Sequence, residues 1–293
     1  MSLRRAYIDL HIAVVLLAFT AILGDLISLS ASALIWWRCL IAVAGIGFFL
    51  LLTKKVKKAF ITNQKKLYAL GIIIAIHWLC FFGSIKLANA STALICFATI
   101  SFFTAWIEPW ITGRKRMKHE IIFGLMIIPG ILLIAGNAEG KILFGVILGI
   151  LAALLVAIIA SLEKKWIGET DPEHMTLVQL TGAFATMCVW LAGEYFITGN
   201  ITIQPTAIDF VYLLILGLVC TSVAWVLATR AMRSVTAFDQ LMVINLEPVY
   251  GIAMALLILN DRRELTPAFY IGASIILLSV IIHPIWQYRY ART

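Results

Sequence analysis

The chain has 293 residues, is 62% hydrophobic, has a mean hydropathy of +1.00 and carries a formal net charge of +8. Only 13% of its residues are charged, and the apolar ones fall in blocks of about 20, the length that crosses roughly 30 Å of hydrocarbon. This pattern excludes a soluble domain, which is roughly half apolar, and the lack of alternating ten-residue strands excludes a membrane barrel.

Ten helical spans are expected, at 9–27, 32–52, 67–87, 91–112, 119–136, 142–162, 174–197, 207–230, 237–259 and 267–287. The opening MSLRRAYID runs straight into a full-length apolar block without a small-residue cleavage site, so the first span is expected to stay in the mature protein. Asp25 marks its outer end. The second span opens on ALIWWR, which places Trp37 and Arg38 in its outer third. His77 and Trp78 fall at the middle of the third, in IIIAIHWLCFFG. The fourth holds Thr99, Phe103 and Trp106 at helical spacing, with Glu108 just before Pro109. The seventh begins HMTLVQ, ending on Gln179, and the eighth carries Thr221 and Trp225. The ninth contains NLEPVYG, which sets Asn245, Glu247, Pro248 and Tyr250 inside an apolar run. The loops are short, and no stretch is long enough for a soluble domain.

Loop charge sets the topology. With the N-terminus in the cytoplasm, 18 of the 23 Lys and Arg residues fall on inner segments, including KKVKK at 54–58 and GRKRMK at 113–118. Only Lys86, Lys141, Arg262 and Arg263 are outside, and Arg38 is within a span. Such a bias places both chain ends in the cytoplasm. It also assigns the basic clusters to orientation and contact with anionic lipid, not to nucleic acid. The five cysteines (Cys39, Cys80, Cys96, Cys188, Cys220) lie in or beside apolar runs without a CxxC pair, and read as small buried hydrophobes. No cofactor or metal is expected.

An internal repeat organises the chain. Residues 84–118 align with 231–266 when Lys86 is set over Arg233, which puts Ala90 on Ala237 and Ser101 on Pro248. Each segment ends in a charged turn, GRKRMK or NDRREL, followed by an apolar span with an early glycine, Gly124 or Gly272. ALIWWR and HMTLVQ each open the second helix of a half. The chain therefore divides into a first five-helix repeat, 1–137, and a second, 138–293. Five is odd, so the second half enters the membrane from the opposite side, an inverted repeat of the kind secondary transporters use.

The run from Arg233 through VTAF, NLEPVYG and the NDRREL turn resembles the second EamA repeat of the drug/metabolite transporter superfamily. Arg38 and the segment IKLANASTA resemble its first repeat. Ser101 stands where the family usually has a proline, and Arg114 where its turn is usually acidic. The resemblance implies an all-α integral membrane protein of ten helices in two inverted EamA-like repeats, around a central cavity. It also implies export or exchange of a small metabolite by alternating access, in a bacterial inner membrane.

An ionisable group near midspan costs roughly 2.5–3.5 kcal/mol on insertion scales, so it faces a cavity or a partner. Glu247, the deepest acid, is either a proton- or cation-coupling group or a structural acid tying its helix to a neighbour. Pro248 removes a backbone hydrogen bond and predicts a bend, hence a gate. Gln240, Ile244, Glu247 and Gly251 share one face. Arg38 either receives a substrate carboxylate or phosphate through its planar fork or snorkels outward beside Trp37. His77 either bonds substrate or joins two helices. Glu108 either pairs with the basic turn or lines the cytoplasmic mouth. Thr99, Phe103, Gln179, Trp225, Asn245 and Tyr250 are further cavity candidates, and Trp225, away from the interfacial belt, suits stacking on a flat ligand. HExxH, GxSxG and Walker motifs are absent from the sequence, which argues against an intramembrane enzyme or an ATP-driven pump, and no soluble domain or tail supports the alternative of a non-transporting membrane scaffold. The favoured substrate is an amino acid or related amphipathic compound, with proton coupling open, and the oligomeric state is not legible.

Overall fold

In this computed structural model the described residues are 2–54, 64–116 and 140–258, with isolated helical positions between 121 and 129 and between 267 and 282. Most of the expected fifth and tenth spans and of KKVKK lies outside them. Every regular element among the described residues is helical. In chain order these are α1 (Leu3–Leu26), α2 (Ala31–Leu52), α3 (Gln64–Leu87), α4 (Ala90–Phe97), α5 (Ile100–Thr112), α6 (Gly140–Trp166), α7 (Pro172–Thr198) and α8 (Ala207–Leu214). A π-helical segment (Ile215–Val223) then leads into α9 (Ala224–Ala231), followed by α10 (Ala237–Ile244) and α11 (Glu247–Ile258). Among the described residues, seven stretches are long and apolar enough to span a bilayer: α1, α2, α3, Ala90–Thr112, α6, α7 and Ala207–Ala231.

The helices start where a side chain can satisfy the free N–H groups of a first turn. Ser30 accepts from the Ala33 amide, and Asn89 accepts from that of Thr92. Thr206 with Asp209, and Thr236 with Asp239, form reciprocal capping boxes. Gly113 and Gly199 end their helices at φ +78° and +70°, the left-handed region that suits glycine. Two boundaries differ from expectation. α1 begins at Leu3, not residue 9, and α6 continues to Trp166, because polar end residues extend the helices past their apolar blocks.

The expected ninth span is not one helix. It breaks at Asn245 and Leu246, and the fourth breaks in the same way at Ala98 and Thr99. The two breaks share the register of the sequence repeat. Asn89 and Thr236, Ala90 and Ala237, and Ile100 and Glu247 are each 147 residues apart. At the first break Thr99 Oγ1 donates to the Cys96 carbonyl (2.7 Å), and the Ala98 amide reaches the Leu94 and Ile95 carbonyls (both 3.2 Å). Pro248 is the second residue of α11, where no intrahelical N–H bond is lost, so the break needs no proline, and Ser101 holds the matching place in α5. The breaks also touch, since the Asn245 side-chain amide donates to Ser101 Oγ.

The halves interleave. α3 packs on α6 and α7, α2 on α7 and the π-helical segment, α1 on α9 and α11, and α4 on α6 and α11. The α3–α7 crossing is set by glycines. A Cβ at Gly71 would lie 2.3 Å from the Gln179 carbonyl oxygen, and one at Gly182 would lie 2.6 Å from that of Tyr68. In lipid no hydrophobic force drives one apolar helix onto another, so close backbone approach supplies the packing energy. This crossing aims Gln179 and the middle of α3 at the interior.

Candidate functional site

A cavity of about 70 Å³ sits where α1, α2, α3, α4, α6, α9, α10 and α11 meet. A water needs roughly 10–15 Å³ of such space, so the volume holds on the order of five waters. It could accept a small polar metabolite with little rearrangement, and anything larger requires the walls to part. The walls are mostly apolar, and a few polar groups converge on the space, the usual composition of a ligand site.

Arg38 is 1% exposed, which removes the reading that it snorkels outward. Its Nε donates to Thr221 Oγ1 (2.7 Å), and its guanidinium stacks 4.1 Å over the Trp78 ring and 5.4 Å from that of Phe82. The π-helical winding makes the first contact possible. The Thr221 hydroxyl donates to the Leu216 carbonyl five residues back (2.7 Å), which leaves a lone pair for the arginine. Arg38 Nη1 has no hydrogen-bond partner among the described residues.

His77 places Nδ1 2.9 Å from the Ala152 carbonyl. A carbonyl only accepts, so Nδ1 carries the proton, and Nε2 of the neutral ring is an acceptor. Phe97 and Phe81 flank the ring, with centroids 5.7 and 6.3 Å away. Trp78 and Trp225, again 147 residues apart, meet edge to face at 5.5 Å. Glu247 is 4% exposed, and its carboxylate has no hydrogen bond or ion pair among the described residues. Burial of a carboxylate without such a partner is costly unless a ligand, water or proton balances it.

Three polar wall groups were not put forward as cavity candidates from the sequence: Glu163, Gln240 and Thr20, whose buried hydroxyl has no hydrogen-bond partner among the described residues. Glu163 is 3% exposed and accepts from Trp225 Nε1 (3.1 Å), with the Gln179 side chain beside it. It precedes Lys164–Lys165 and so reads as part of a charged helix end. The only clue is that Val156, Ile159, Ala160 and Glu163 share one helical face. Gln240 Oε1 is a buried acceptor with no partner, on the face shared with Ile244 and Glu247.

Other sequence candidates lie away from the cavity. Trp37 Nε1 donates to the Ile203 carbonyl (2.7 Å). Thr99 and Asn245 serve the helix breaks, and Phe103 meets Phe102 edge to face at 5.4 Å. Gln179 reaches the site only through Glu163. Tyr250, 41% exposed, faces outward, because the break rotates α11 relative to α10. Pro248 is buried in the first turn of α11. Glu108, 1% exposed, does not line the cavity. Its two oxygens accept from the Ala237 and Phe238 amides (2.9 and 2.8 Å), and Arg114 lies 3.0 Å away. It thus caps α10 from the end of α5.

A second, outward groove of about 330 Å³ runs between α2, the π-helical segment and α9. Its polar side chains are engaged: Arg230 pairs with Asp9 (2.8 Å), and Ser222 donates to the Ala42 and Gly217 carbonyls (3.3 and 2.9 Å).

Several bilayer-length helices around a buried, charged cavity define an integral membrane protein of transporter type. The chain belongs to the EamA-like transporter family, whose model matches it twice, at residues 5–136 and 143–283. A solved chain described as "Crystal structure of protein" has the same fold, with a TM-score of 0.71 at 14% identity over 97% of this chain and 99% of that one. Comparison with curated proteins finds no match.

Proposed function

We propose that this protein is a secondary transporter that moves a small metabolite, an amino acid or related amphipathic compound, by alternating access through the central cavity. One observation carries the reading: the buried Arg38 guanidinium with an open donor and the buried Glu247 carboxylate, which has no hydrogen bond or ion pair among the described residues, line the same cavity. Such groups are expensive in a membrane interior and are retained where a ligand completes them. In this reading each half, 1–137 and 138–293, has five spans, an odd number that inverts the second half and puts both chain ends in the cytoplasm. Two like halves facing opposite ways give inward-open and outward-open states of similar energy. The matched breaks of the fourth and ninth spans give each half a hinge where backbone bonds are already irregular. Export across a bacterial inner membrane follows from the family resemblance.

Reconstitution in liposomes tests this. Counterflow of a labelled amino acid, carried by this protein alone in pure lipid, is expected. Absence of flux across a broad metabolite panel would remove the reading. Within it, the ionisable and hydrogen-bonding groups facing Glu247 across the cavity are Arg38, His77, Glu163 and Gln240. If Glu247 couples transport to protons, Glu247→Gln abolishes the response of flux to a pH gradient while exchange at equal pH persists. An unchanged response assigns Glu247 to structure.

A further inference from the structure

The hydrogen-bonding inventory of the cavity is lopsided. Four groups offer acceptors: the Glu247 and Glu163 carboxylates, His77 Nε2 and Gln240 Oε1. Arg38 Nη1 is the one strong charged donor among the described lining residues, and it is unpartnered and buried; the Thr20 hydroxyl, also unpartnered, adds a neutral donor. Two faces of aromatic carbon, Trp78 and Trp225, lie between these poles. Three contacts run in series. The guanidinium stacks on Trp78, Trp78 meets Trp225, and Trp225 Nε1 binds Glu163. Arg38 and Glu163 are therefore at opposite ends of an indole pair and form no ion pair.

A ligand that satisfies this wall presents one anionic group and more than one cluster of N–H donors. A neutral amino acid would fill the Arg38 end and leave Glu163 with only the neutral Trp225 and Gln179 side chains. A dicarboxylate would set a second anion against two acids. Resting on the transporter reading above, we propose that the substrate is a diamino monocarboxylate, a basic amino acid. Its carboxylate binds the open donor of Arg38, its α-ammonium binds Glu247, and its terminal ammonium lies along the indole faces to reach Glu163. The formal charges match group for group: one cation and two anions in the wall, one anion and two cations in the ligand. Ammonium groups over tryptophan faces gain a further cation–π attraction.

Purified wild-type protein in lipid nanodiscs is titrated with L-lysine, L-norleucine, L-glutamate and cadaverine. Norleucine has the carbon chain of lysine without the terminal amine, and cadaverine keeps both amines without the carboxylate. Lysine is expected to bind about tenfold or more tighter than norleucine and cadaverine, since each loses one charge-assisted contact. Glutamate is expected to be weakest. Glu163→Gln is expected to remove the roughly tenfold preference for lysine over norleucine. Equal binding of lysine and norleucine, or tighter binding of glutamate, overturns the assignment while leaving an amino acid transporter in place. If no amino acid binds at all, both this assignment and the amino acid reading fall. The wild-type series decides the matter even where the variant does not fold.

Discussion

The Glu108 contact yields a quantitative prediction, because its parts differ in worth. Its carboxylate makes two bonds to backbone amides, at 2.9 and 2.8 Å, in a site 1% exposed. Hydrogen bonds to charged groups contribute about 1.5–3 kcal/mol each. The amides are the first two of α10, so the helix dipole adds to the attraction. The ion pair with Arg114, whose side chain is 21% exposed, is worth about 0–1 kcal/mol. The bulk of the interaction therefore lies in the helix cap. Glu108→Gln retains one acceptor oxygen, turns an NH₂ group toward the other amide, and leaves that amide unmet. A loss of about 2–4 kcal/mol is expected, against under about 1 kcal/mol for Arg114→Gln. Reversible unfolding in mixed micelles of dodecyl maltoside and SDS measures both. A Glu108→Gln loss below about 0.5 kcal/mol would show that the two amides find other partners, and the capping argument would fail.

Three further outcomes follow from the geometry. Gly71→Ala puts a methyl into the backbone of α7 and should cost about 3 kcal/mol, the upper end of overpacking, measured in the same micelles. Gly193→Ala, in open space on α7, should stay within about 1 kcal/mol of wild type and err toward stability, so equal losses at the two sites would contradict the packing account. Arg38→Lys keeps the charge but cannot both stack on Trp78 and hold Thr221, so counterflow should drop about tenfold or more at unchanged protein yield. Wild-type flux in that variant would mean that charge alone suffices.

Much of the chain was legible from its residues because the relevant signals are local. Whether a stretch can cross hydrocarbon depends on its own 20 residues, and loop charge depends on nearby Lys and Arg. The 147-residue register was equally readable, since Lys86 and Arg233 or Ala90 and Ala237 need only be compared. Ionisable residues within spans, such as Arg38, His77 and Glu247, stood out because so few exist.

What the residues alone left open was which way each face turns. In a soluble helix the apolar stripe marks the inside, but in a membrane both lipid-facing and protein-facing sides are apolar, so periodicity loses its contrast. Tyr250 and Thr99 looked equivalent to Trp225 for this reason, and only packing separated them. Glu163 was masked by its basic neighbours and joins the cavity through Trp225, 62 residues on. Glu108 acts on amides 129 and 130 residues away. The helix breaks rest on turn bonds and contacts between the halves that no window of sequence contains. Membrane-crossing helices and their repeat register were thus written in the chain, while the polarity of the cavity emerged only when the two halves closed around it.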